Sequence, residues 1–138
     1  MVKGGCCCGA VRYELSTDLQ GVYYCHCRDC QILSGSVYHV LGIVERDSLS
    51  VEPDKLTTYA TAAESGFKMA REFCPSCGTP LFLKGDRFPE IVMFTISSLD
   101  NPEVTQPSFE IWTSSKIPWA DIRADIESFP RGALDGSA

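Results

Sequence analysis

Eight cysteines fall into three tight groups: Cys6-Cys7-Cys8, Cys25-His26-Cys27-Arg28-Asp29-Cys30 and Cys74-Pro75-Ser76-Cys77. This grouping constrains the chain more than any other feature, because thiols one or two residues apart read as donors to a shared ion rather than as scattered bridge partners. In Cys74-x-x-Cys77-Gly78 two thiolates can converge on one ion, and Gly78 frees backbone N–H groups to face the sulfurs. One such knuckle supplies two ligands, whereas a structural zinc needs four. Cys6 and Cys8 are the natural second pair: residues two apart in an extended segment share a side, so both point one way while Cys7 points the other. The expectation is a Cys₄ zinc site built from Cys6, Cys8, Cys74 and Cys77, with Cys7 as a small buried hydrophobe.

Cys25, Cys27 and Cys30 remain. Three thiolates do not saturate tetrahedral zinc, and a fourth position left to water or substrate is the mark of catalytic sites. The competing arrangement has His26, or a distant residue such as His39, closing the site. A strand would place His26 opposite Cys25 and Cys27. Iron–sulfur ligation is chemically possible, but its usual cysteine runs are spaced differently. Three thiolates blunt the Lewis acidity of a divalent ion, so such a centre suits a thiol better than a hydroxide.

Compartment decides between metal and disulfides. The start, Met1-Val2-Lys3-Gly4-Gly5-Cys6, has one basic residue and no apolar segment, unlike a signal peptide. No apolar run approaches the roughly 20 residues of a spanning helix. The expectation is a soluble cytoplasmic protein, where metal is favoured over bridges. Twelve Lys and Arg against eighteen Asp and Glu give a net charge of −6, which argues against nucleic acid or anionic membrane as partner. With 138 residues, 44% hydrophobic, the chain is expected to form one domain over 1–138 with a real core.

Short apolar runs separated by turn signals indicate a β-rich fold. Strands are expected at Val11 to Leu15, at Gly21 to Tyr24 leading into Cys25, and at Ser36 to Val44. A pair, Leu56 to Tyr59 and Phe67 to Phe73, should flank a turn at Ala63-Glu64-Ser65-Gly66. Leu81 to Leu83 and Ile91 to Ile96 should form a hairpin around Gly85-Asp86-Arg87, and Phe109 to Trp112 a last strand. Helix is expected as one turn over Asp29 to Leu33, stopped by Gly35. A second helix is expected through Trp119, Ile122, Ile126 and Phe129, which recur at helical spacing between Pro118 and Pro130. The small, polar last residues should fray. The fold class is mainly antiparallel β with a short C-terminal helix.

Longer motifs are also present: Gly4-Gly5-Cys6-x-Cys8-Gly9-Ala10-Val11-Arg12-Tyr13, Cys25-His26-Cys27-x-x-Cys30-Gln31 with Ser34-Gly35, and Arg71-x-Phe73-Cys74-x-x-Cys77-Gly78-Thr79-x-Leu81. With Ile111-Trp112-x-x-Ser115-Lys116-x-Pro118-Trp119, they resemble the glutathione-dependent formaldehyde-activating family, also called the CENP-V/GFA domain. The resemblance implies an Mss4-like fold of packed antiparallel sheets. It implies a structural zinc on Cys6, Cys8, Cys74 and Cys77, and a second zinc on Cys25, Cys27 and Cys30. It further implies a carbon–sulfur lyase-type activity joining glutathione to formaldehyde as S-hydroxymethylglutathione.

A small-molecule thiol is thus the expected partner. Glutathione carries two carboxylates and calls for a local cation; Arg28 is the candidate, while Lys84 and Arg87 read first as solvated charges. Tyr23, Tyr24 and Phe88 could line a pocket, although strand aromatics are more often core. Lys116 is expected to lay its stem over Trp119. The alternative function, from another class, is a non-catalytic zinc-stabilised binding module on the same fold. A redox role for Cys27-Arg28-Asp29-Cys30 ranks third, since no thioredoxin-like βαβ pattern surrounds it.

Overall fold

A computed structural model describes residues 2–62 and 66–132. Among them are eleven strands: β1 (Val2–Gly5), β2 (Arg12–Leu15), β3 (Gly21–Cys25), β4 (His39–Glu45), β5 (Leu49–Val51), β6 (Thr57–Ala62), β7 (Lys68–Phe73), β8 (Pro80–Gly85), β9 (Ile91–Thr95), β10 (Phe109–Ile111) and β11 (Glu127–Ser128). One α-helix, α1 (Arg28–Ser34), follows β3, and Gly35 ends it in the left-handed conformation. No helix among the described residues is long and apolar enough to cross a membrane.

The strands form a small sheet, β1-β2-β5, and a large one ordered β11-β10-β3-β4-β9-β8-β7-β6. Pairing is antiparallel except at one end, where β10 lies parallel to β3 and β11 parallel to β10. The expected strands are all present, with β4 beginning at His39 rather than Ser36 because residues 35–38 turn the chain out of α1. Strands β1 and β5, which are only four and three residues long, carry no clear alternation in the sequence.

The main core lies between the sheets. Val22, Val44, Val92, Phe82 and Phe94 project from one face of the large sheet onto Val11, Tyr13 and Leu15. The Tyr13 ring meets Phe82 edge-on at 5.2 Å and Phe94 at 6.1 Å between centroids. Its hydroxyl is buried and donates to Ser98 Oγ at 2.6 Å, since the Ser98 hydroxyl itself donates to Thr95 O. A buried phenol thereby keeps its hydrogen bond, as a core position demands.

The expected C-terminal helix is absent. Residues 116–132 run through turns to β11, and their backbone bonds go to β10 and the chain after it: Phe129 N–H donates to Glu110 O at 3.0 Å, and Trp112 N–H to Arg131 O at 3.1 Å. Trp119 is 73% exposed, so a helix here would have no apolar surface to pack its stripe against. A helix this short without a docking face is marginal, and the open edge of β10 offers a ladder instead. The fraying expected of the last residues, and the Ala63-Glu64-Ser65 part of the expected turn, lie outside the described residues.

Gly42 sits opposite Phe94 across the β4–β9 ladder. A Cβ there would stand 2.7 Å from the Phe94 ring and 2.8 Å from Ile96 Cδ1, so the glycine lets the ring lie flat over the strand. Gly42→Ala should therefore destabilise the protein by about 2 kcal/mol through overpacking, read as a lower denaturation midpoint with an unchanged slope.

Candidate metal centres and the adjoining cavity

The sulfurs of Cys6, Cys8, Cys74 and Cys77 lie within 4.8 Å of one another. Sulfurs on a tetrahedron with metal–sulfur bonds near 2.3 Å are about 3.8 Å apart; Cys6–Cys8 measures 3.6 Å and Cys8–Cys74 3.8 Å. The donor set fits a soft tetrahedral ion without rearrangement. Cys6 and Cys8 meet across a turn rather than along a strand: β1 ends at Gly5, Gly9 N–H donates to Cys6 O at 3.1 Å, and Gly9 takes φ +81°. Gly78, at φ +78°, closes the second knuckle in the same way. Backbone N–H groups of Val11 and Ser76 point at Cys6 Sγ and Cys74 Sγ, at 3.2 and 3.4 Å. A hydrogen bond from Thr79 holds the Cys77 thiol down to about 5. Cys7 is exposed instead of buried, because the turn aims its side chain outward while its N–H donates to Thr79 Oγ1.

Cys25, Cys27 and Cys30 form the second group, again with sulfurs within 4.8 Å of one another. Cys25 ends β3, Cys27 caps α1, and Cys30 lies in its first turn with its N–H directed at Cys27 Sγ at 3.3 Å. A strand running straight into a helix is what concentrates three thiols. Hydrogen bonds from Cys25 and Cys30 hold the Cys27 thiol far below its usual range, while Cys25 is pushed well above. An ion binding all three as thiolates displaces the protons they carry.

Neither histidine joins the trio among the described residues. His26 is fully buried and hydrogen bonded through Nε2 to Glu110 Oε1 at 2.8 Å; His39 contacts Thr95 Oγ1 at 2.9 Å. Glu110 also accepts from Lys116 Nζ at 3.2 Å and Ser128 Oγ at 2.7 Å. Lys116 is thereby an internal counter-ion. Gln31 Nε2 ties His26 O and Ser115 O together, at 2.7 and 3.1 Å. These bonds clamp the Cys25–Cys27 bend against the C-terminal segment.

The trio opens into a cavity of about 140 Å³. Its floor is the second face of the large sheet, assembled by register. Phe109 lies opposite Tyr23, Tyr23 opposite Leu41, Ile111 opposite Cys25, Ile43 opposite Met93, and Leu83 opposite both Met93 and Arg71. All of these line the cavity. Trp112 closes one side from a left-handed backbone position (φ 58°), an uncommon conformation for a large side chain and one that concentrates at functional sites. Arg71 places its guanidinium 3.9 Å from Cys30 Sγ, and Arg87 lies at the rim over the Phe67 ring at 4.8 Å.

The sequence brought Tyr23 and Phe88 forward as possible lining residues, and both line the cavity; Tyr24 instead meets Tyr38 edge-on. Arg28 is exposed, donates to Gln31 Oε1 and is not among the lining residues. Lys84 pairs with Glu72 at 2.9 Å. Arg71 received no role from the sequence. It opens the third motif and is a charge at an alternating position between Met69 and Phe73 in a strand, but its partner becomes visible only with the sheet register.

Two expectations follow from this geometry. Chelator titration of the metal-loaded protein should release metal in two phases, the Cys25/Cys27/Cys30 ion first with the fold retained, and the four-thiolate ion with unfolding; Cys77→Ser should leave little soluble protein. Glu110 tests the clamp. Burial raises its pKa, but donors from Ser128, Lys116 and His26 outweigh that and hold it below the usual 4.5. Its contribution is therefore present above that value and lost as pH falls through the lowered one. Glu110→Gln should cost about 2 kcal/mol at neutral pH and progressively less as the pH falls below 4.5, measured by denaturant unfolding.

The sequence model of the family described as "Glutathione-dependent formaldehyde-activating enzyme" matches residues 1–115. A Halomonas elongata protein named "Putative glutathione-dependent formaldehyde-activating enzyme" is 26% identical over 129 residues, which cover 90% of this chain and 82% of that protein. A crystal structure of a Rhodobacter sphaeroides protein superposes with a TM-score of 0.59 at 21% identity, covering 76% of this chain and 96% of that one, a likeness of fold. By the extent of the match, which takes in all three cysteine groups, the chain belongs to the glutathione-dependent formaldehyde-activating enzyme family.

Proposed function

We propose that the protein is a zinc-dependent, carbon–sulfur lyase-type enzyme that handles thiol adducts, in the simplest case glutathione plus formaldehyde giving S-hydroxymethylglutathione. The observation that carries this reading is the convergence of Cys25, Cys27 and Cys30, with no fourth His, Cys, Asp or Glu among the described residues, at the wall of a cavity. Cys6, Cys8, Cys74 and Cys77 would hold a structural zinc, and the trio a second one; thiolate-only donor sets suit zinc better than harder ions. Zinc on three thiolates supplies a thiophilic, weakly Lewis-acidic centre that favours a thiol in its deprotonated form. A fourth ligand from the protein would favour a binding module instead; among the described residues neither His26 nor His39, each hydrogen bonded through Nε2, joins the trio.

The chain's own residues divide the remaining work. Arg71 lends positive charge beside Cys30 and limits the build-up of negative charge where thiolates gather. Arg87, which lines the cavity, is better placed for a substrate carboxylate than Arg28, the candidate from sequence, which does not line it. The apolar floor limits water around the sulfur and so strengthens these charge effects.

Below the free thiol's pKa, glutathione binding to the zinc-loaded protein should release about one proton per site. Calorimetry in two buffers of different ionisation enthalpy reads that number. Cys27→Ser should abolish the binding and keep the melting temperature near that of the wild type. Glutathione failing to bind at millimolar concentration, with both zincs present, would sink the glutathione assignment.

A further inference from the structure

The cavity is built for more than a one-carbon partner. Formaldehyde brings two heavy atoms and no side chain, and glutathione brings an ammonium, two amides and two carboxylates. Neither matches what stands above the trio. The deep wall consists of Tyr23, Ile43, Met93, Phe109 and Trp112, and the charged lining residues are Asp29, Arg71 and Arg87. Arg71 is turned to Cys30, and Arg87 is exposed at the rim. The cavity measures about 140 Å³, and a cavity of roughly 150 Å³ lined by Leu, Ile and Phe accepts a benzene molecule. An apolar wall of this size beside a reactive centre is a recognition surface for hydrocarbon.

We infer that the carbon–sulfur adduct handled at Cys25, Cys27 and Cys30 carries an apolar substituent of about ring size, seated against Tyr23, Ile43, Met93 and Phe109. This rests on the proposed thiol-adduct chemistry and names its substrate class. The reaction stays balanced: the thiol sulfur bonds to the carbonyl carbon, the C=O double bond opens to a single bond, and the thiol proton ends on that oxygen. Nothing is oxidised or reduced, and the reverse step returns thiol and carbonyl. The substituent can come from the aldehyde or from the thiol; in both cases the polar remainder extends past Arg87 to solvent. Phe88, half-buried at the rim with the Arg87 guanidinium 5.8 Å from its ring centre, covers the outer edge of the substituent.

The test uses the full zinc-loaded chain in two arms, with the uncatalysed rate subtracted in each. One arm keeps glutathione and replaces formaldehyde by phenylacetaldehyde; the other keeps formaldehyde and replaces glutathione by phenylmethanethiol. Burial of a ring predicts a gain of at least about tenfold in kcat/KM in the arm that carries the substituent, and the arm that gains identifies its source. Phe88→Asp should reduce that gain relative to the formaldehyde–glutathione rate measured on the same variant. No gain in either arm overturns the inference, and if glutathione plus formaldehyde is still accelerated the proposed function stands without it. A gain with phenylmethanethiol while glutathione fails to bind keeps the inference and removes glutathione. No binding of any thiol to the zinc-loaded protein overturns both.

Discussion

Four sulfurs from Cys6, Cys8, Cys74 and Cys77 meet within one coordination sphere's reach, and most of the molecule hangs from that meeting. They join the turn after β1 to the turn after β7, and so fix the small sheet to the far half of the large one. The consequence extends to the second thiol group. Arg71 lies on β7, three residues before Cys74, which follows directly on the strand's end, so the knuckle that anchors β7 also sets the reach of the guanidinium to Cys30. The two cysteine sites are separate in donors but share one strand.

The two faces of the large sheet divide the labour. One is dry and carries Phe82, Phe94 and the valines under Tyr13; the other presents Tyr23, Leu41, Ile43 and Met93 to the cavity. Alternation along each strand makes both faces apolar in sequence, and only the covering differs. A face covered by a second sheet becomes core, whereas a face covered by one short helix and a few loops keeps a hollow.

The cysteine pairs, the strands and the short helix after Cys27 were legible in the sequence, because spacing and period are local properties. What was not legible depended on distant partners. Cys6 and Cys8 converge as expected but through a turn, since nothing in Cys6-x-Cys8 distinguishes a strand end from a knuckle. Trp119, Ile122, Ile126 and Phe129 have helical spacing, yet the helix lost to the free edge of β10, a competitor that no local window contains. The pairing of Lys116 with Glu110 was likewise not legible in the sequence. Arg71 gained its place only from a register that brings β7, β8, β9 and β4 into line.

The parallel placement of β10 beside β3 has a consequence for the order in which the protein takes shape. Phe109, Ile111 and Trp112 form a wall of the cavity, and the first two pair with Tyr23 and Cys25 on a strand far earlier in the chain. A chain emerging from the ribosome has all seven cysteines of the two groups outside well before that wall exists. The four-sulfur cluster, complete at Cys77, can gather early in folding, whereas the trio stays uncovered on one side until residues 109–112 arrive. The hollow that receives a ligand in the finished molecule is the place the chain closes last.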